Sequence, residues 1–253
     1  MQRDALSRLT FNGHGNRNPV WTPDGTHLVY CSITDHTIMW IRTDGAGEAQ
    51  RLLESKDGPI PRSFSPDGGY LSYSETTADT GADLWILPLD TSDPEHPRPG
   101  TPAVFLKTPA NEAEGSFSPD GRWMAYLSTE SGRTEVYVRP FHGSTGGKWQ
   151  ISTRGGSYSS WSRDGHALYY TALDQRIMVV DYAAAGESFA AGKPRVWSET
   201  PIRPTLAGFQ PMDLAPDGKR FAVLPSAVVA DEKGSLHATF LLNFFDELHR
   251  RLP

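Results

Sequence analysis

The sequence has little of what would indicate disulfides, a membrane span or a leader segment. Its only cysteine is Cys31, which excludes an internal disulfide framework and a Cys-x-x-Cys metal site. The longest apolar stretch, residues 221–230, is interrupted by Pro225 and Ser226 and is far shorter than the ~20 residues that span a bilayer. The segment MQRDALSRLT lacks the apolar run of roughly 7 to 15 residues of a secretory signal peptide. We therefore expect neither a membrane span nor a signal peptide in this chain.

Excess positive charge and the signatures of common enzymes are also absent. Lys and Arg number 24 against 30 Asp and Glu, a net charge of −6, which is the wrong sign for neutralising phosphates, so we expect no nucleic-acid partner. No Gly-x-Ser-x-Gly elbow, glycine-rich phosphate loop, HRD or DFG segment occurs. The eight histidines form no HExxH pair, and most are interpreted as solvated loop residues. We therefore expect no enzyme activity, no metal and no cofactor.

Glycine and proline are abundant instead, at 24 and 20 residues, which is typical of a turn-rich globular chain. One hairpin signature occurs five times, in WTPDGTHLVYCS, FSPDGGYLSYSE, FSPDGRWMAYLS, WSRDGHALYYTA and LAPDGKRFAVLP. Proline presets the first corner of a turn, aspartate tolerates the second, and glycine takes the positive φ that closes it. The recurring turn aspartates are 43, 53, 44 and 53 residues apart and are Asp24, Asp67, Asp120, Asp164 and Asp217. Because every copy needs them, we interpret them as structural.

Apolar residues keep fixed positions around each turn aspartate. Those four and six residues after it alternate with the period of two that places them on one face of a strand. Large apolar residues also stand three positions before it: Trp21, Phe64, Phe117, Trp161 and Leu214. Tyrosines stand six positions after it in four copies: Tyr30, Tyr73, Tyr126 and Tyr170. We expect the aromatic residues of both sets to pack between neighbouring units.

Each unit continues with a third strand, read as IMWI, LWIL, VYVR, IMVV and FLLN, and four units have a weaker fourth strand. The fifth unit lacks a fourth strand, and residues 5–10 supply one in matching register. Four-stranded sheets repeated radially form a propeller, and such an N-terminal strand closes the ring without an exposed edge. We therefore predict an all-β fold, a five-bladed propeller of four-stranded antiparallel blades closed by residues 5–10.

The predicted propeller is a single domain over residues 1–253. Its blades cover residues 16–54, 58–108, 111–153, 156–198 and 209–243, the last joined by residues 5–10. Residues 244–253 follow as a tail or a short helix, because Phe244, Phe245 and Leu248 have helix-compatible spacing.

The hairpins and third strands resemble the WD-like repeats of TolB-type β-propellers. The stretches FSPDGRWMAYLSTESGRTEVYVRPF and GGKWQISTRGGSYSSWSRDGHALYYTA and the tail FLLNFFDELHRRLP are similar to the C-terminal propeller region of bacterial membrane-anchored serine/threonine kinases. The resemblance covers nearly the whole chain, and the sequence departs from it at Arg163, where proline is usual, and at Leu214, where an aromatic is usual. It implies a bacterial sensing or docking module without its kinase, and a periplasmic location.

The units differ from one another at the start of the first strand, which in such propellers is the innermost strand. Rigid scaffolds commonly carry recognition on irregular positions of this kind. The candidate binding residues around the channel mouth are Arg17, Asn18, Arg62, Glu112, Glu114, Tyr158, Phe209 and Gln210. Arginines suit carboxylates, and aromatic side chains suit buried anchor positions. We therefore expect a monomeric, non-catalytic binding or sensor scaffold that presents this face to a protein or peptide, or to a small ligand.

Two alternatives stay open. A carbohydrate-active propeller would use Glu112 or Glu114 with Asp213 as paired carboxylates across the channel, at a separation of ~5 to 9.5 Å. The chain would otherwise be part of a larger propeller or receptor, and residues 5–10 would then belong to a preceding blade. Asp79 and Asp83 look like half of a calcium loop, but we interpret them as a polar insertion between two strands of the second unit.

Overall fold

The computed structural model describes residues 8–11, 15–141, 147–186, 188–202, 212–215 and 217–223. Within these ranges the chain is all-β, and its strands pair antiparallel in successive sheets. The same ranges contain no helix long and apolar enough to cross a membrane. The expected all-β class is confirmed.

The first and third sheets have four strands that pair in chain order. The first sheet contains β1 (Asn16–Trp21), β2 (His27–Ser32), β3 (Thr37–Arg42) and β4 (Gln50–Glu54). The third sheet contains β10 (Glu112–Phe117), β11 (Trp123–Ser128), β12 (Glu135–Pro140) and β13 (Trp149–Gln150).

The second and fourth sheets have the same order and one additional short strand each, which the sequence did not predict. The second contains β5 (Ile60–Phe64), β6 (Tyr70–Thr77), β7 (Gly81–Asp90), β8 (Arg98–Pro99) and β9 (Ala103–Leu106). The fourth contains β14 (Ser157–Trp161), β15 (Ala167–Thr171), β16 (Ile177–Ala185), β17 (Ser188–Ala191) and β18 (Arg195–Ser198). Strands β7 and β16 are long. Along one half, each pairs with the expected fourth strand, which is β9 or β18; along the other half, each pairs with the additional strand, which is β8 or β17. In the fifth unit the described strands are β19 (Met212–Leu214) and β20 (Phe221–Val223).

The turn aspartates hold the hairpins together, as expected. In the third sheet Asp120 Oδ1 accepts hydrogen bonds from the Ser118 hydroxyl at 2.6 Å and from the Arg122 amide at 3.1 Å, and Gly121 has φ 70°. The same side-chain hydrogen bond is made by Thr22, Ser65 and Ser162. The fifth turn has Ala215 at this position, so Asp217 lacks the hydroxyl donor; it accepts hydrogen bonds from the Lys219 amide and from Arg220 Nε at 2.8 Å instead. The structural interpretation of these aspartates is confirmed.

Consecutive sheets pack through the residue that stands three positions before each turn aspartate. Phe64 packs on the first sheet, with its ring 6.2 Å from that of Trp40, and Phe117 packs against Ile86 of the second. The indole of Trp161 packs on the third sheet and donates a hydrogen bond to the Ser116 carbonyl at 3.0 Å. Each of these residues therefore joins its own sheet to the preceding one, as expected.

The expectation that Trp21 packs between units is wrong: Trp21 is 50% exposed although it occupies the same repeat position as Phe64. His27 is an exception among the described histidines, which are otherwise exposed. Its ring stacks on Trp40 of the neighbouring strand at 4.8 Å, and its Nδ1 lies 2.7 Å from the Thr26 hydroxyl.

The parts of the chain that would close the ring are described only in part. Residues 8–11 contain no strand, and residues 5–7 lie outside the described residues. The same holds for the expected third strand of the fifth unit, residues 240–243, and for the tail at 244–253. Five blades and closure by residues 5–10 therefore stay predictions.

Candidate functional site

The first strands of successive sheets are neighbours, with β5 between β1 and β10, and β10 between β5 and β14. Their hairpin turns meet around a cavity of about 470 Å³. The aromatic residues at this end are Trp21, Phe64, Phe117 and Trp161, and the turn residues are Pro23, Pro66, Pro119 and Arg163. We call this the turn end. Since every first strand finishes here, the strands begin at the opposite end, which we call the entry end.

The first strand of each of the first four sheets has an irregular pairing register at the same place, near the entry end. These strands are β1, β5, β10 and β14. In β1 the register shifts between Arg17 and Val20, so that Asn18 and Pro19 together face Tyr30. Equivalent shifts face Tyr73, Tyr126 and Tyr170. Such β-bulges bend a strand and re-aim a side chain, and they are frequent next to binding sites.

Three of the sequence-predicted residues occupy these bulges with a positive φ: Asn18 at 54°, Glu114 at 57° and Tyr158 at 49°. Each stands six residues before its turn aspartate, so the conformation repeats with the fold. The second sheet has Pro61 there, whose ring does not allow a positive φ, and its shift falls at Arg62. A positive φ is costly for a residue other than glycine, and it is found where side-chain direction matters.

Arg62 and Glu114 form an ion pair between the second and third sheets. Arg62 Nη1 lies 2.6 Å from Glu114 Oε1, and the side chains are only 10% and 16% exposed. Burial raises the pKa of the Glu114 carboxyl, and the Arg62 guanidinium acts in the opposite direction. The structure thus brings together two residues that the sequence placed on the same face.

Arg17 has no comparable partner. Its Nε is buried and has no hydrogen-bond acceptor, and no carboxylate of the described residues lies within ion-pair distance of its guanidinium. Arg17 pairs across the sheet with Cys31. Burial raises the pKa of the Cys31 thiol, while a hydrogen bond from the Arg17 side chain and the charges of Arg17 and Arg62 lower it. Arg17 therefore contacts this buried thiol, although its Nε has no acceptor.

Glu112 has a different environment from the one that was expected. It is 1% exposed, and it accepts hydrogen bonds from the Thr108 amide at 3.2 Å and from the Thr108 hydroxyl. Burial raises the pKa of this carboxyl, against the effect of the Thr108 hydrogen bonds. Glu112 therefore fixes the turn that leads into β10, and its side chain is closed to solvent. Phe209 and Gln210 lie outside the described residues.

Asp83 and Asp213 belong to the calcium-loop and glycosidase alternatives that the sequence raised. Asp83 is fully buried, accepts a hydrogen bond from Thr80 at 2.7 Å and pairs with Lys107 at 3.3 Å. No group of three or more metal-ligating side chains occurs among the described residues. Asp213, the partner proposed for a glycosidase, lies on β19 opposite Ala222 and is exposed. The polar-insertion interpretation holds for Asp79, which lies in the turn between β6 and β7, and is wrong for Asp83, which lies within β7.

The sequence did not predict that Arg17 Nε would be buried without an acceptor near the Cys31 thiol, because the burial of a single nitrogen atom has no local sequence signature. The bulges were detectable in part. A polar or charged residue replaces the expected strand-forming residue at Asn18 and Glu114, six positions before a turn aspartate.

No protein-family model and no curated protein matches the sequence. Among solved structures, TolB from Acinetobacter baumannii is 18% identical, with a TM-score of 0.52 over 85% of this chain and 55% of that chain. The puromycin-hydrolyzing peptidase of Mycobacterium tuberculosis is 18% identical, with a TM-score of 0.53 over 70% of this chain and 30% of that chain. A structure described as puromycin hydrolase is 15% identical, with a TM-score of 0.51 over 83% of this chain and 42% of that chain.

These likenesses show the fold, which is a TolB-like β-propeller. The chain spans about half the length of the TolB structure, at 55%, and less of the two hydrolases. The TolB part of the expected resemblance is confirmed, whereas the similarity to kinase C-terminal regions is not found. Both binding proteins and enzymes share this architecture, so the fold alone does not decide between them.

Proposed function

We propose that this chain is a non-catalytic recognition module, a five-bladed propeller whose entry end binds a protein or peptide segment. The observation that carries the proposal is the concentration of charged residues at first-strand positions that the units fill differently. Glu114 pairs with Arg62 while nearly buried, and Arg17 on the neighbouring first strand has an Nε without an acceptor. The positive φ of Glu114 recurs at Asn18 and Tyr158 and belongs to the repeat, whereas the charges do not recur. A scaffold that needed only stability would not keep such nearly buried charges.

Catalysis has weaker support than binding. Glu112 is held by Thr108 and Glu114 by Arg62, so neither is poised opposite Asp213 as the second acid of a glycosidase. The hydrolases with this fold do not transfer their activity at such low identity, and the sequence has no nucleophile elbow. Turnover on a panel of glycans would contradict the proposal.

A larger role follows from the sequence resemblance. We propose that the module serves as the sensing or docking part of a bacterial receptor, on the periplasmic side. A propeller suits this role because its rigid sheets keep the channel residues in place when a partner binds.

The test is selection of random heptapeptides displayed on phage against the full chain, followed by binding to variants. The double variant Arg17→Gln, Arg62→Gln removes both channel charges and keeps side-chain length. The matched control is Arg51→Gln, Arg154→Gln, which removes two exposed charges. We expect the selected peptides to bind the control as they bind the wild type, and the channel variant at least tenfold more weakly. Equal binding by the channel variant, with its thermal unfolding intact, would place recognition elsewhere.

A further inference from the structure

We propose that the entry end contains an oxyanion site for a carboxylate, in which Arg17 is the open half and Glu114 is a built-in competitor on Arg62. This inference rests on the proposed recognition function and names the chemistry of its ligand. The ligand would be a peptide C terminus, an acidic side chain or a small carboxylic acid.

Arg17 of β1 is the cation of the entry end that has no carboxylate partner among the described residues, whereas Arg62 of β5 pairs with Glu114 of β10. The other carboxylates of the neighbouring first and second strands are Glu112 of β10, which Thr108 holds, and Glu75 of β6, which is buried. Neither lies within ion-pair distance of Arg17. The remaining titratable groups near the bulges are the Cys31 thiol, the Tyr158 phenol and the second-strand tyrosines Tyr30, Tyr73, Tyr126 and Tyr170. On β19, Asp213 interacts with the charge of Arg163.

The unpartnered atom is on Arg17. A buried guanidinium N–H without an acceptor costs free energy, and a bound oxyanion would remove that cost. Arginine favours a carboxylate because its planar fork matches two oxygens in one plane. An anion seated on Arg17 would also lie toward Arg62, since β1 and β5 are neighbouring first strands.

Glu114 already makes with Arg62 the contact that a ligand carboxylate would make. Its bulge conformation brings its carboxylate within 2.6 Å of that guanidinium. Neutralising Glu114 would release Arg62 and give the site a second open guanidinium. Because burial raises the pKa of Glu114, acidification neutralises it before an ordinary glutamate.

The test uses two probes of equal size that differ in charge, N-acetylglycine and N-acetylglycinamide, titrated into the full chain by calorimetry at constant ionic strength. We expect the carboxylate to bind at least tenfold more tightly than the amide. Arg17→Gln should abolish this difference, Arg17→Lys should retain part of it, and the exposed control Arg154→Gln should leave it unchanged. Glu114→Gln should tighten binding of N-acetylglycine about fivefold or more. Lowering the pH from 7.5 to 5.5 should tighten it more in the wild type than in Glu114→Gln, which retains Glu75 and Glu112, whose pKa burial also raises.

Further titrations distinguish the possible sources of the ligand carboxylate. A tripeptide with a free C terminus and its amidated twin test for a peptide end, and inorganic phosphate tests for another oxyanion. Equal affinity for N-acetylglycine and its amide, undiminished binding by a folded Arg17→Gln, or tighter binding of phosphate than of any carboxylate would each overturn the assignment. If N-acetylglycine fails but the selected heptapeptides still depend on Arg17 and Arg62, this inference fails and the recognition function stands.

Discussion

At the residue scale, the ion pair of Arg62 and Glu114 is the place where one side chain controls the charge state of another. Arg62→Met would leave Glu114 nearly buried without its cation. Breaking a buried pair in this way costs roughly 3–5 kcal/mol. We expect the free energy of unfolding, measured with urea at pH 8, to fall by an amount of that order. The exposed control Arg51→Met should change it little, because the Arg51–Glu54 pair is in solvent.

The pH dependence of the same variant has a defined sign. Burial already raises the pKa of Glu114 in the folded protein, and loss of Arg62 would raise it further. A carboxyl whose folded pKa exceeds its unfolded pKa destabilises the fold above the folded value, and the cost disappears below the unfolded value of ~4.3. The stability difference between wild type and Arg62→Met should therefore shrink as the pH falls from 8 toward 4. A difference that stays constant over this range would show that Arg62 stabilises the protein by packing alone.

A second comparison uses two residues at one repeat position. Phe117 is buried against Ile86 and Met124, so Phe117→Ala should cost ~3–5 kcal/mol. Trp21 has the same place in its unit but is half-exposed, so Trp21→Ala should cost clearly less. Urea unfolding of both variants measures the difference. Equal losses would mean that Trp21 is covered in solution.

The same comparison shows what can be predicted at this scale. Turn aspartates were predictable because their partners, such as Ser118 for Asp120, are two residues away. The exposure of Trp21 was not, because its repeat position is the same as that of the buried Phe64, and the burial of His27 was not, because it depends on stacking with Trp40 of the neighbouring strand.

At the element scale, the fifth hairpin differs from the other four by the absence of one side-chain hydroxyl that donates to the turn aspartate. In the first four turns a Ser or Thr donates to the turn aspartate, and its oxygen accepts from a backbone amide, as Ser118 does from Trp123 at 3.0 Å. The fifth turn has Ala215 instead. Ala215→Ser should supply the missing hydrogen bond, and a net gain of ~0.5–1.5 kcal/mol is typical of one such bond.

The matched control is Ser118→Ala, which removes the equivalent hydroxyl from the third sheet and should lower stability by at least as much. Both variants are measured by chemical denaturation at pH 7. If Ala215→Ser leaves the protein unchanged while Ser118→Ala destabilises it, the fifth hairpin does not share the geometry of the others.

Strands were predictable where the hairpin signature marks them. The additional strands β8 and β17 were missed because their partners, β7 and β16, extend past the repeat without a Pro-Asp-Gly turn. Gly186 with φ 57° marks the turn between β16 and β17, and glycine alone is a weak signal. The bulges were only partly detectable for a related reason: a one-residue shift of register follows from the packing of neighbouring first strands, which no single strand specifies.

At the scale of the whole molecule, the repeat predicted the architecture and not the ligand. The matching residues are turn and core residues, which recur because every sheet needs them. The residues that differ, such as Arg17 and Glu114, acquire meaning only when the sheets place their first strands side by side. This is why the likeness to TolB and to two hydrolases decides the fold alone.

Closure of the ring is the prediction that belongs to this scale. If residues 5–10 complete the last sheet, removing residues 1–11 would expose a strand edge that pairs with other chains. We expect the full chain to elute as a monomer in size-exclusion chromatography with light scattering, and the shortened chain to associate and unfold at a lower temperature. Replacing residues 1–11 by an equally long Gly/Ser segment should fail in the same way, because the missing element is the strand and not the length. A synthetic peptide of residues 1–11 added in trans should restore the monomer. A shortened chain that is monomeric and equally stable would show that this strand does not close the ring, and that the first sheet, with its half-exposed Trp21, meets a different neighbour.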